Sequence, residues 1–201
     1  MTVGDKPPHY DLRQEIRRSI WGAARFASFD ARGMHFFNLT ADGFWRSFAA
    51  ALISLPFFLV IAALTYRPTD VAHFASLALA YAASWILFPL IMIPVMKALR
   101  LSEAYVPLIV AYNWSSVIVY GLALVTTLLY FLDTSLVASL TLAFWIVALL
   151  YLWFVVKSAI NVGWLIPFVI VVIDQVLQTF VERGLLSLFG EVPTMAALLG
   201  Q

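Results

Sequence analysis

An all-α bundle, a polytopic transmembrane helix bundle of five spans, is the fold this sequence predicts, and three observations predict it. Hydrophobic residues make up 63% of the 201-residue chain and charged residues only 11%, against about 45–50% and about 25% in soluble domains. Five separate apolar runs can be cut out, each of about 18 residues or more, the length that crosses a ~30 Å hydrocarbon core as a helix. Short polar breaks separate the runs, and the alternation of membrane barrel strands is absent. With a mean hydropathy of +0.94, lipid is the solvent for most of the chain. Backbone amides in lipid must be satisfied within their own segment, so each run is a helix.

The first element precedes the spans. In residues 11–28, "DLRQEIRRSIWGAARFAS", Leu12, Ile16, Ile20, Ala23 and Ala27 fall on one arc at helical periodicity. Asp11 is placed to cap the helix start. One reading is an N-terminal amphipathic interfacial helix on the anionic inner leaflet, with Arg13, Arg17, Arg18 and Arg25 as its membrane-surface basic face. The other is an ordinary helix packed on the inner end of the bundle. "MHFFNLTADGFWRSF" (34–48), rich in Phe and Trp, then reads as an anchor at the headgroup level. Its "NLT" at 38–40 matches a glycosylation sequon that would be idle on the inner side.

The spans follow closely. The first runs from about Phe44 to Thr65 ("FWRSFAAALISLPFFLVIAALT"), the second from about Val71 to Met96, and the third from about Tyr105 to Phe131. The fourth covers about Leu136–Val156; the fifth begins between Ala159 and Trp164 and ends before Glu182. "YRPTD" (66–70), "KALRLSE" (97–103), "LDTS" (132–135) and "KSAINVG" (157–163) supply the proline, charges and Asn–Gly break that stop helices. Connections this short make sequential helices antiparallel neighbours. The expected organisation is a cytoplasmic N-terminal segment (1–42), a five-helix transmembrane domain (43–183) and a short apolar tail (184–201) along the outer interface or against the bundle. The polar first 40 residues carry both charge signs and no early apolar run, so no cleavable signal peptide is expected.

Orientation follows from Lys and Arg bias. With the N-terminus cytoplasmic, Lys6, Arg13, Arg17, Arg18, Arg25, Arg32, Arg46, Lys97, Arg100 and Lys157 lie inside, and only Arg67 and Arg183 lie outside. An odd span count then puts the C-terminus outside. The expected location is multi-pass in a bacterial inner membrane.

Candidate chemistry centres on "VVIDQVLQ" (171–178), where Asp174 interrupts an apolar run. If the helix starts at Trp164, the acid lies close to the midplane, where an exposed charge costs about 2.5–3.5 kcal/mol. Asp174 should therefore face other helices, be protonated, or both. Gly163, Pro167, Ile170, Asp174 and Gln178 share one helix face, so Asp174 and Gln178 can meet at i, i+4. "YNWSS" (112–116) on the third span offers Asn113, Ser115 and Ser116 at comparable depth, completing a polar cluster with Gln175. This cluster reads either as a proton- or ligand-responsive site or as a hydrogen bond fixing helix register.

Pro56, Pro89, Pro94 and Pro167 sit inside spans and Pro107 near the start of one, which reads as gating breaks or as ordinary kinks. Asp70 and His73 form either a titrating pair at i, i+3 or two solvated interface residues. His9 and His35 have no ligand-like partners, so no metal site is expected. Zero cysteines exclude disulfides, thiolate metal sites and a cysteine nucleophile. No nucleophile elbow, P-loop, dinucleotide fingerprint or zinc-protease motif occurs, and no internal repeat of the transporter kind. A net charge of +1 gives no bias toward nucleic acid. Neither an enzyme nor a cofactor is expected.

This outline, a polar cytosolic N-terminal region, five closely spaced helices and an opposite C-terminus, resembles the Yip family of membrane proteins and its bacterial relatives over about residues 40–185. Of that family's short N-terminal motif, only the opening Asp11–Leu12 is present. The resemblance implies a non-enzymatic role in membrane organisation or partner binding. The leading expectation is thus a small scaffold or accessory subunit, whose partners are the lipid bilayer and other membrane proteins or further copies of itself. Ala75, Ala78 and Ala82 mark a possible helix-packing face for it. The alternative is a small transporter or channel component with a protonatable Asp174, and a lipid-acting enzyme is a third class without a visible acid–base pair.

Overall fold

The structure, a computed structural model, describes residues 11–65, 71–132 and 137–189. His9, Asp70 and the tail beyond Phe189 lie outside the described residues, as does the side chain of His73. Seven α-helices follow one another among the described residues: α1 (Leu12–Phe26), α2 (Ala41–Ser47), α3 (Ala49–Thr65), α4 (Val71–Ala98), α5 (Tyr105–Leu132), α6 (Val137–Ile160) and α7 (Leu165–Phe189). No strand occurs among them. Five helical stretches are long and apolar enough to cross a membrane: Ala41–Thr65, Phe74–Ala98, Ser102–Leu129, Ser139–Ile160 and Leu165–Gly184.

The helix ends follow from local chemistry. Thr40 caps α2, its hydroxyl accepting from Gly43 N at 3.1 Å, while Asn38 Oδ1 accepts from the Thr40 hydroxyl at 2.7 Å. The sequon-like triplet is therefore a capping device. Ser47 and Phe48 mark a local break, after which α3 continues the same span. Helix α4 ends with Arg100 in the left-handed region (φ 58°), Leu101 N bonding Met96 O at 2.8 Å and Arg100 N bonding Lys97 O at 3.1 Å. That pair of bonds is a Schellman stop. The expected Asn–Gly break is Asn161, also left-handed (φ 48°), between α6 and α7. Asp11 occupies the N-cap of α1 without a side-chain cap bond.

Helix α5 is the axis of the bundle. Leu108, Ile109, Val110, Ala111 and Trp114 are completely buried, and α3, α6, α1 and α2 all pack against α5. The expectation that sequential helices are neighbours holds for α5 with α6 and for α6 with α7, but not for α3 with α4 or α4 with α5 as main partners. Helix α3 lies chiefly along α5, and α4 chiefly along α7. Helices α3 and α4 still touch where the Tyr81 hydroxyl donates to Ala51 O at 2.5 Å and its ring stacks on Phe58 at 4.5 Å. A short loop fixes direction and proximity, whereas side-chain volume decides which faces lie flush.

Four further details refine the expectations. Helix α7 runs through Glu182–Arg183–Gly184 to Phe189, because a lone glycine costs a helix only ~1 kcal/mol and Leu185, Leu186 and Leu188 follow. Pro167 is the third residue of α7, inside the first turn, where its missing N–H interrupts no ladder. Ala78 and Ala82 are exposed and Ala75 is half-buried, so this face is turned out of the bundle, and within it α4 buries Leu77, Tyr81, Ser84, Phe88, Met92 and Met96. Helix α1 buries Glu15, Ser19, Gly22, Ala23 and Phe26, leaving Leu12 exposed. That face packs on the 3₁₀ turn Ala31–Phe36 and on α5 and α6. Backbone contact sets this rotation: a Cβ on Gly22 would sit 2.8 Å from Gly33 O, and one on Gly33 would sit 2.6 Å from Gly22 O.

Candidate functional site

Asp174 is the tenth of the 20 residues in the apolar stretch Leu165–Gly184, midway along it, and only 2% exposed. Its face of α7 also carries Pro167, Ile170 and Val171, all buried. A charge with no water around it needs hydrogen bonds, and three side chains supply them. The Tyr112 hydroxyl, from α5, donates to Oδ2. Gln175 Nε2 reaches the same oxygen at 2.9 Å, and Gln178 Nε2 reaches Oδ1 at 3.3 Å. All three neighbours act as donors, and between them they occupy both carboxyl oxygens.

Tyr112 is held in place from α4: its ring stacks on Phe88 with centroids 4.3 Å apart and planes 25° apart. Beside this pair opens a cavity of ≈ 240 Å³ walled by α4, α5, α6 and α7. Ser84 and Trp85, Ser116 and Tyr120, Phe144 and Trp145 line it, with Asp174, Gln175 and Gln178 forming its polar side. Trp145 and Leu149 belong both to the wall and to the outer surface of α6, at 48% and 37% exposure. The cavity therefore reaches the side of the bundle.

The expected cluster is assembled in part. Asp174, Gln175 and Gln178 bond directly. Ser116 faces the cavity, but its hydroxyl donates to Tyr112 O within its own helix at 3.0 Å. Asn113 also borders the cavity, yet its amide donates to Ser47 Oγ at 2.9 Å, tying α5 to α2. Ser115 is completely buried and lies outside the cavity wall. The residue of "YNWSS" that reaches Asp174 is Tyr112. Its signal is spacing: Tyr112, Ser116 and Tyr120 recur every four residues and form one polar stripe down an apolar helix.

A second polar group holds the N-terminal helices to the bundle. Glu15, 2% exposed, accepts from Arg46 Nη1 at 3.2 Å, and Arg46 Nε meets Asp42 at 2.8 Å. The Tyr151 hydroxyl donates to Ala23 O at 3.0 Å, pinning α1 to α6. The four arginines of the expected basic face have different settings. Arg13 and Arg17 are exposed, and Arg18 Nη2 reaches His35 O at 3.5 Å. Arg25 pairs with Asp30 through Nε at 2.9 Å and lies over the Phe36 ring. Arg32 and Arg25 together hold the Asp30 carboxyl far below the usual carboxylate range, and Asp30 in turn raises Arg32.

Among the described residues no three His, Asp or Glu side chains gather as a metal site requires. No family model, curated protein or solved structure matches the chain. The class that fold and site define is an all-α chain with five candidate spans and one buried acid beside a cavity between them.

Proposed function

We propose that the chain is a non-enzymatic, multi-pass membrane protein that binds a small ligand in the Asp174 cavity, as a transporter or transport component would. In this reading the N-terminus is cytoplasmic, following the ten-to-two split of Lys and Arg, and the membrane is a bacterial inner membrane. The observation that carries the proposal is the cavity beside the Asp174–Tyr112 bond. An acid serving only to lock two helices needs no open volume next to it, since packing alone would bury it better. Here apolar rings surround a space with a few convergent polar groups, the usual make-up of a small-molecule site.

The accessory-subunit reading, to which the Yip-like outline belongs, draws on a different feature. Helix α4 exposes Ala78 and Ala82, and α6 exposes Leu142, Ile146 and Leu150, faces on which another membrane protein or a second copy could pack. One experiment separates the two. The tagged chain and its Asp174→Asn variant are extracted into native-lipid particles and weighed intact by mass spectrometry. Ligand binding predicts a small-molecule adduct that the variant loses while it stays folded. A stoichiometric second membrane protein, retained equally by the variant, would overturn ligand binding in favour of the accessory role.

A further inference from the structure

The cavity's chemistry narrows its ligand, provided the ligand-binding reading above holds. We propose that it takes a hydrophobic organic cation, such as a quaternary ammonium or a protonated amine with apolar substituents. Among the described residues lining it, Asp174 is the only carboxylate, and no Lys, Arg or His shares the wall. Its two oxygens accept three hydrogen bonds, all from uncharged groups. An anion would meet this carboxylate with no cation in reach. A divalent metal would find one carboxylate where it needs about six oxygen ligands. A neutral lipid would fill the space without using Asp174.

An organic cation uses both halves of the site. Its charge compensates Asp174 in a low-dielectric setting where the attraction is strong. Its substituents meet six rings: Trp85 and Phe88 from α4, Tyr112 and Tyr120 from α5, Phe144 and Trp145 from α6. Aromatic faces carry partial negative charge and attract cations within about 6 Å of the ring centre. Entry follows from the exposure of Trp145 and Leu149: a cation with apolar groups partitions into the membrane and arrives from the side.

The test uses the full chain in lipid nanodiscs and two probes of equal shape, benzyltrimethylammonium and its uncharged carbon analogue neopentylbenzene. Trp85 and Trp145 report binding through their fluorescence. The expected result is saturable binding of the ammonium, at least tenfold weaker in Asp174→Asn, with no such effect on neopentylbenzene. Should Asp174→Asn fail to fold, Trp145→Leu removes one ring without touching the carboxylate's bonds, leaves Trp85 as the reporter, and should weaken the ammonium severalfold more than neopentylbenzene. Equal binding of both probes, insensitive to these variants, would overturn the cation proposal yet leave a ligand cavity standing. Saturable binding of neither probe would overturn the cation proposal; if the native adduct is also missing, the ligand-binding reading falls with it.

Discussion

Replacing Tyr112 by Phe and Asp174 by Leu, singly and together, isolates the bond that joins α5 to α7. Tyr112→Phe deletes one hydroxyl and keeps the ring that stacks on Phe88 at 4.3 Å. Asp174→Leu removes the acceptor and leaves the Tyr112 hydroxyl and two Gln amides facing apolar surroundings. Hydrogen bonds to a charged group contribute about 1.5–3 kcal/mol in soluble proteins. Between membrane helices the measured couplings average only ~0.6 kcal/mol with a maximum near ~1.7. Asp174 is 2% and Tyr112 6% exposed, and the acceptor is a carboxylate, so this pair belongs at the top of the membrane range. The expected coupling energy is about 1.5 kcal/mol, roughly tenfold in the unfolding constant. The assay is reversible unfolding in mixed micelles for the wild type, both single variants and the double variant. Additivity within about 0.5 kcal/mol would refute the reasoning, because it would mean that the two side chains do not depend on one another.

Two further perturbations test the fold around the site. Gly43→Ala places a Cβ 2.0 Å from Asn38 O and should destabilise by about 2 kcal/mol or more. Gly121→Ala, on α5 with nothing within 4 Å of the new atom, should instead stabilise by about 0.5–1 kcal/mol. Thermal unfolding of the pair checks both signs. Asp30 makes a prediction about pH. Arg32 and Arg25 hold its carboxyl below its unfolded value, so its contribution is present above the unfolded value near pH 4 and is lost progressively as pH falls from there through the lower folded value. Asp30→Asn should therefore be less stable than wild type by a constant margin between pH 7 and pH 5, with the margin closing in stronger acid. A margin that changes between pH 7 and pH 5 would contradict this assignment.

Much of this architecture can be read from residue order alone. The five candidate spans stand out because each apolar run is as long as a membrane crossing requires. The breaks at Arg100 and Asn161 stand out because charge, Asn and Gly cluster there. Asp174 meeting Gln178 follows from helical spacing. What escapes is whatever depends on helix rotation and pairing. Tyr112 reads as one more aromatic until α4 and α7 are known to bracket it. Glu15 reads as one charge among many on a polar helix, yet it is buried because the Gly22–Gly33 contact turns that face inward. The cavity leaves no mark on any single segment, since four helices each contribute a few residues.

The most direct test asks whether the space beside Asp174 can be reached in the folded protein. The chain has no cysteine, so Ser116→Cys introduces a unique thiol on the cavity wall and Ser115→Cys one in the sealed core next to it. Both variants in nanodiscs are exposed to a small membrane-permeant maleimide, and labelling is followed by mass. A reachable ligand site predicts rapid labelling of Ser116→Cys, little of Ser115→Cys, and protection of the former by benzyltrimethylammonium. Equal inertness of the two thiols would contradict it and leave Asp174 as a bond between helices.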